Sequence, residues 1–398
     1  MAAFDIFENS TDLDQNDTVG QNLTDDVNRS TATRLKQSVP VIALFGVSYF
    51  LIFALCVVGN TLVCFVVIKI PRMRTVTNYF ILNLAVSDLL VGIFCMPATL
   101  ADNVVMGKFT SPSISGFLLT LLTPLPYLHF SNKRSPLLGW PFGDVMCRLV
   151  PFMSTASVVA SVFTLLAIAV DRFYAVVLPT KPKLKVTVMT KAVITIWMFA
   201  ITVSLPLMIF NRDEIYEDVQ QDATYLVHYC DEQWPATGSW TKDDISKYYS
   251  FALFIICYLA PLSIILVLYM IIGYQVWYKS APGQRASVEA QNALLKKKIK
   301  VIKMLIVVVV LFALFWLPLH TIMLLNDFTQ LSASQKHVVY IYAFPIAHWL
   351  SYFNSSVNPI IYGYFNPNFR QGFKSLVISR RYANGLSEMS HTTRHEKG

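Results

Sequence analysis

Seven stretches of the chain are apolar almost without interruption: 42–68, 79–105, 145–178, 190–210, 248–278, 300–325 and 337–364. Each has the roughly twenty residues a helix needs to cross a hydrocarbon core about 30 Å thick. Helix is the expected form, because lipid cannot satisfy the open edge of a strand. An eighth apolar run, Phe117 to Phe130, fails the same test. It is too short, Pro124 and Pro126 interrupt it, and Ser, Pro, Lys and Arg flank it. The pattern predicts an all-α membrane protein, a seven-transmembrane helix bundle over 41–365. After the seventh run, Phe369, Phe373 and Leu376 recur at helical spacing with Arg370 and Lys374 between them. That spacing predicts an interfacial amphipathic helix over 366–378, followed by a tail, 379–398. No cysteine follows Cys257, so palmitate is not expected to anchor that tail.

Composition agrees with lipid as the solvent. Of 398 residues, 55% are hydrophobic and only 14% charged, against about a quarter charged in soluble domains. The net charge of +8 would suit a nucleic-acid partner, but its distribution argues against one. Lys69, Arg72 and Arg74 follow the first run, and Lys181, Lys183, Lys185 and Lys191 follow the third. Lys296, Lys297, Lys298, Lys300 and Lys303 lead into the sixth, and Arg370, Lys374, Arg380 and Arg381 follow the seventh. The opposite ends are acidic, with Asp12, Asp14, Asp17, Asp25 and Asp26 before the first run. Asp213, Glu214, Glu217, Asp218, Asp222, Asp231 and Glu232 follow the fourth. Positive charge marks the cytoplasmic side, so the N-terminus is expected outside, the C-terminus inside, and no nucleic acid is expected as a partner. The first forty residues are polar and acidic, so the first apolar run is expected to act as an uncleaved signal anchor. Four glycosylation sequons, at Asn9, Asn16, Asn22 and Asn28, crowd that tail, 1–40, as expected of a disordered extracellular segment.

Polar groups inside spans are costly and mark function. Asp88 lies well inside the second run, and Asn60 lies in the first. Ser161 in the third run and Asn354, Ser355 and Asn358 in the seventh offer it partners. One reading is hydrogen-bonded glue between helices. The sharper one is a pocket for a hard cation, sodium at Asp88, since every ligand is oxygen. Asp171-Arg172-Phe173 ends the third run beside the lysines, where the guanidinium can pair with its neighbour and be released. Pro261, Pro318 in FWLP and Pro359 in NPIIY predict kinks in runs five, six and seven. Cys147 and Cys230 both lie on the oxidising side, so a disulfide between them is expected. Cys56, Cys64, Cys95 and Cys257 lie within spans and are read as apolar filler.

Taken in order, GNTLV, LAVSDLL, the Cys147/Cys230 pair, DRF, Trp197, Pro261, Tyr269, FWLP and NPIIY resemble a rhodopsin-like (class A) G-protein-coupled receptor over about 41–378. The resemblance implies a receptor, not an enzyme, that drives nucleotide exchange on a heterotrimeric G protein at the plasma membrane. Arrestin and a receptor kinase are further implied partners. Asp171, Arg172, Tyr269, Phe312, Trp316, Pro318, Pro359 and Tyr362 become the expected activation switch.

A finer likeness is carried by PRMRTVTNYFILNLAVSDLLVGIFCMPATL, YCDEQWP, APLS, IKVIKMLIVVVVLF and AHWLSYFNSSVNPIIYGYFN. These look like neuropeptide FF and SIFamide receptors, whose ligands are short peptides with an amidated aromatic C-terminus. Asp327 matches the acidic position that such receptors use for a basic ligand side chain, and Asp231 and Glu232 add negative charge above it. An acidic rim independently favours cationic ligands. His348, Trp316, His320, Ser154, Tyr249 and Asp102 complete the expected ligand pocket. Three departures stand out. Phe173 replaces the usual tyrosine, Lys298 stands where relatives carry a carboxylate, and Ser154 stands where neuropeptide FF receptors carry glutamine.

Deleting Lys108 to Gly139 leaves DNVVMGWPFGDVMC, which joins smoothly in the family pattern. The stretch 108–139 is therefore expected to be an insertion in the first outer loop, from an alternative exon or a retained intron; the other reading is a genuine long loop. A transporter would show internal repeats, and a membrane enzyme a nucleophile–base pair or a metal set; neither is seen. Within receptors, an orexin-like or neuropeptide Y-like peptide is the alternative ligand.

Overall fold

A computed structural model of the chain describes residues 39–104, 138–140, 142–181, 184–220, 223–279 and 288–375. The four sequons, residues 108–137 and the tail 379–398 lie outside the described residues. Helix one is Val39–Lys69. Helix two runs Val76–Leu90, a π-helical turn Val91–Cys95, and Met96–Val104. Helix three is Gly143–Val177 and helix four Val186–Phe210. Helix five joins Lys242–Phe254, a π turn Ile255–Leu259, and Ala260–Lys279. Helix six is Val288–Phe328. Helix seven joins Ala333–Val338, a π turn Val339–Ala343, and Phe344–Phe365.

Helices two, five and seven begin before their apolar runs because polar caps start them. Thr75 accepts from the Asn78 amide. Thr241 with Asp244, and Ser332 with Gln335, form reciprocal capping boxes at helices five and seven. Each π turn ends two residues before a proline: Pro97, Pro261 and Pro345. Proline cannot donate to the carbonyl four residues back, and the wider turn makes room for its ring. Of these three, only Pro261 was expected to disturb its helix.

Among the described residues, six helices are long and apolar enough to cross a membrane by length and composition. Helix seven misses that threshold through its polar residues. Ser351, Asn354, Ser355, Ser356 and Asn358 are all buried, so this helix is polar because it faces the other helices rather than lipid. Residues 367–375 form the expected further helix. Phe369 is fully buried, with its ring 5.7 Å from Tyr362. At Gly372 an added Cβ would lie 2.7 Å from Val66 Cγ1. This helix therefore docks on the ends of helices one and seven, and its glycine permits the approach.

The all-α bundle carries one small sheet outside its helices. Asn211–Gln220 (β2) and Ala223–Glu232 (β3) form an antiparallel hairpin, and Leu138–Gly139 (β1) adds in parallel to β3. The acidic charges hid a strand-forming run, ATYLVHY, in which β-branched and aromatic residues recur. The Cys147–Cys230 bond, with Cα atoms 5.5 Å apart, fastens β3 to the start of helix three.

Candidate functional site

At the disulfide end, the hairpin is fixed over the bundle by charged and aromatic contacts. Gly143 has φ +69°, a left-handed turn that glycine adopts without strain. Its carbonyl accepts from Trp140 Nε1 at 2.9 Å, while the Trp140 amide donates to the His228 carbonyl at 2.8 Å. His228 Nδ1 lies 3.1 Å from both carboxylate oxygens of Asp213. Burial pushes the Asp213 carboxyl above the usual carboxylate range, and His228 opposes that shift. Asp144 accepts from the Asp213 amide at 3.2 Å and pairs with Arg148 at 2.5 Å.

The expected ligand residues divide between contacts at this end and contacts deeper in the bundle. Glu232 Oε2 accepts from Trp234 Nε1 at 2.6 Å and from Ser246 at 2.8 Å. Trp234 packs between Phe210 and Tyr249, at 4.7 and 4.9 Å between ring centroids. The Tyr249 hydroxyl donates to the Val203 carbonyl at 2.7 Å. Glu232 and Tyr249 thus brace the hairpin against helices four and five. Asp231 accepts from Gln233 at 3.4 Å. Asp327 is half-buried near the end of helix six. Asn326 donates to it at 3.4 Å, Ser250 bonds it, and Lys247 acts on it electrostatically.

Deeper in the bundle, His348 stacks between Phe344 and Tyr352. Tyr352 shares a 2.7 Å hydrogen bond with Thr99. Ser154 hydrogen-bonds Cys95. Asp102 sits partly buried on helix two. Trp316 is buried, and its Nε1 lacks a partner. Its neighbours are Phe312 at 6.0 Å and His320 at 6.2 Å.

At mid-bundle, Asp88 is 2% exposed and accepts from Asn358 Nδ2 at 2.9 Å. Ser355 also bonds its carboxylate. Ser161 and Asn354 are buried on the facing helices. Two buried oxygens, Asn60 Oδ1 and Ser157 Oγ, have no partner. One carboxylate, hydroxyls and amide oxygens make a donor set suited to a hard monovalent cation. No group of three His, Cys, Asp or Glu that could hold a metal exists among the described residues.

Asn60 has a second task. Pro359 cannot donate to the carbonyl of Ser355, four residues earlier. Asn60 Nδ2 donates to that carbonyl instead, at 2.9 Å. Helix one comes close enough because its residue 59 is glycine: an added Cβ there would lie 2.8 Å from Pro359 Cγ. The hydrogen bond that Pro359 removes from helix seven is therefore replaced from helix one.

At the opposite end, Arg172 pairs with Asp171 at 2.5 Å and also donates to the Thr77 hydroxyl. Thr77 in turn donates to Asp171 at 2.7 Å. Thr77 was not among the expected switch residues, because a lone threonine near a helix start carries no sequence signal. Tyr269 is buried and its hydroxyl lacks a partner, while Arg172 acts on it electrostatically. Asn83 and Thr164 also escaped notice. Trp197 donates to Asn83 at 2.8 Å and Asn83 to Thr164 at 2.7 Å, tying helices four, two and three.

The sequence of this chain matches the family described as 7 transmembrane receptor (rhodopsin family) over residues 59–125 and 113–362. The two matched pieces overlap at 113–125, inside the expected insertion. Among relatives, neuropeptide FF receptor 2 of Rattus norvegicus is 46% identical over 339 residues, 84% of this chain and 72% of that protein. Neuropeptide FF receptor 1 of Homo sapiens is 41% identical over 357 residues, 89% of this chain and 74% of that protein. The pyroglutamylated RF-amide peptide receptor of Rattus norvegicus is 32% identical over 342 residues, 84% and 69%. The chain belongs to the rhodopsin family of seven-transmembrane receptors, in its neuropeptide FF type. It is a multi-pass membrane receptor and not an enzyme.

Proposed function

We propose that this receptor binds a short, cationic, C-terminally amidated peptide of the RF-amide kind and activates a heterotrimeric G protein. The observation that carries the reading is the half-buried Asp327 on helix six, which together with Asp231 of the hairpin acts electrostatically on Tyr340. A guanidinium would meet Asp327, with Asp231 drawing it in from the rim. An aromatic amide would descend toward His348, His320 and Trp316, where the unpartnered Nε1 of Trp316 offers a polar contact. The names of the relatives at 46% and 32% identity support that ligand class. The orientation follows from charge, with the hairpin outside and Arg172 facing the cytoplasm, where the G protein, arrestin and a receptor kinase would bind. Sodium at Asp88, held by Ser161, Asn354 and Ser355 with Asn358 behind them, would stabilise the resting form; the unpartnered Asn60 and Ser157 oxygens favour that reading. Residues 108–139 are read as an insertion, and the division of the family match into two pieces that overlap within this stretch, at 113–125, supports this.

The test is a panel of amidated peptides applied to cells expressing the chain, with calcium and cyclic-AMP readouts. Peptides ending in Arg-Phe-amide should signal, and their free acids should be far weaker. Responses only to peptides without a basic residue before the terminus would overturn the reading.

A further inference from the structure

Helix five contributes one polar contact that the ligand pocket and the switch do not explain. Tyr258 lies in the π turn Ile255–Leu259, just before Pro261. It is only 6% exposed. Its hydroxyl donates to the carbonyl of Ala313 on helix six at 2.6 Å. The neighbouring carbonyl, Leu314, is the one that Pro318 leaves without its helical donor. The bond therefore grips helix six at its weakest turn.

The ring stands in a ladder that crosses from helix five to helix six. Phe254 stacks on Tyr258 at 5.6 Å, and Tyr258 meets His320 at 4.6 Å. His320 leads to Trp316 and Trp316 to Phe312. A phenylalanine would fill the same space in this ladder. Burying a hydroxyl is costly unless it is bonded, so the bond to Ala313 is what the oxygen contributes. The same structure keeps Arg172 paired with Asp171 and Thr77, so the Tyr258 bond belongs to the paired form.

We propose that Tyr258 is a positioning residue: its hydroxyl holds helix six to helix five at the Pro318 turn, and breaking that bond favours the signalling form. This rests on the receptor reading above. A ligand side chain wedged against His320 or Trp316 would tilt the ladder and pull the hydroxyl from its acceptor.

The experiment measures nucleotide exchange on a G protein in membranes carrying the full chain, counted per surface receptor and without peptide. Tyr258→Phe should raise basal exchange roughly two- to ten-fold, the population shift expected from one net hydrogen bond. Tyr258→Leu, which also lacks the donor, decides the matter if the phenylalanine variant reaches the surface poorly. A merely structural role would lower receptor number or activity, and would not raise exchange per receptor. Basal exchange equal to or below that of the parent overturns the proposal. A peptide ending in Arg-Phe-amide, applied to the parent, tests the receptor reading separately. A responsive parent with an unchanged variant sinks the latch alone. A silent parent with a raised variant sinks the ligand assignment and keeps the latch.

Discussion

Asn60 is the sharpest place to test how helix seven is held around Pro359. Replacing it with alanine leaves the Ser355 carbonyl buried without a donor, because Pro359 cannot supply one. An unsatisfied buried acceptor costs about 1–3 kcal/mol, and the vacated volume adds to it. Against a total stability of roughly 5–15 kcal/mol, this is a large loss. Thermal unfolding of the purified receptor should show a midpoint lowered by several degrees. Asn60→Leu refills the volume but cannot donate, so it should unfold early as well. Pro359→Ala restores an amide that can reach Ser355 along the helix. In that background the cost of Asn60→Ala should shrink by about 1 kcal/mol, which a double-mutant cycle reads directly. Asn60→Leu as stable as the parent, or an equal cost in both backgrounds, would refute the reasoning.

Further outcomes follow from the same geometry. Asp88→Asn should fold but abolish any effect of sodium on peptide affinity, as radioligand competition with and without sodium chloride would show; equal sensitivity in mutant and parent removes the cation pocket. Deleting Lys108 to Gly139 should raise surface expression or peptide potency, since added loop length costs only about 1–2 kcal/mol of closure entropy and the Trp140–Gly143 turn is kept; flow cytometry and a dose–response curve check this. Loss of both on deletion would make the stretch a working part of the receptor.

The seven-helix plan was legible because spans announce themselves by length and apolarity, and the charges between them give their direction. Helix seven was read from the apolar run 337–364, although Asn354, Ser355 and Asn358 blur it as a membrane span. The hairpin was not legible: Glu214, Glu217 and Asp218 gave its strands the look of a solvated loop. The π turns at Val91–Cys95 and Val339–Ala343 leave no periodicity signal beyond the proline that follows each. Among site residues, Asp88, Asp171 and Arg172 stood out as charges inside or at the ends of spans. Thr77, Asn83 and Tyr258 did not, because each acts through a partner more than fifty residues away in the sequence. Glu232 was read as facing a ligand; that its Oε2 also accepts from Trp234 and Ser246 was not legible.

Peptide affinity with charge reversal at Asp327 tests the central claim most directly. The measurement is the dissociation constant of a peptide ending in Arg-Phe-amide, and of its partner ending in Glu-Phe-amide, on the parent and on Asp327→Lys. The account predicts that Asp327→Lys weakens the arginine peptide by about 1–3 kcal/mol or more, the scale of a charge-assisted hydrogen bond. It also predicts that the glutamate peptide binds Asp327→Lys better than it binds the parent. Unchanged affinity of both peptides on both receptors would contradict it.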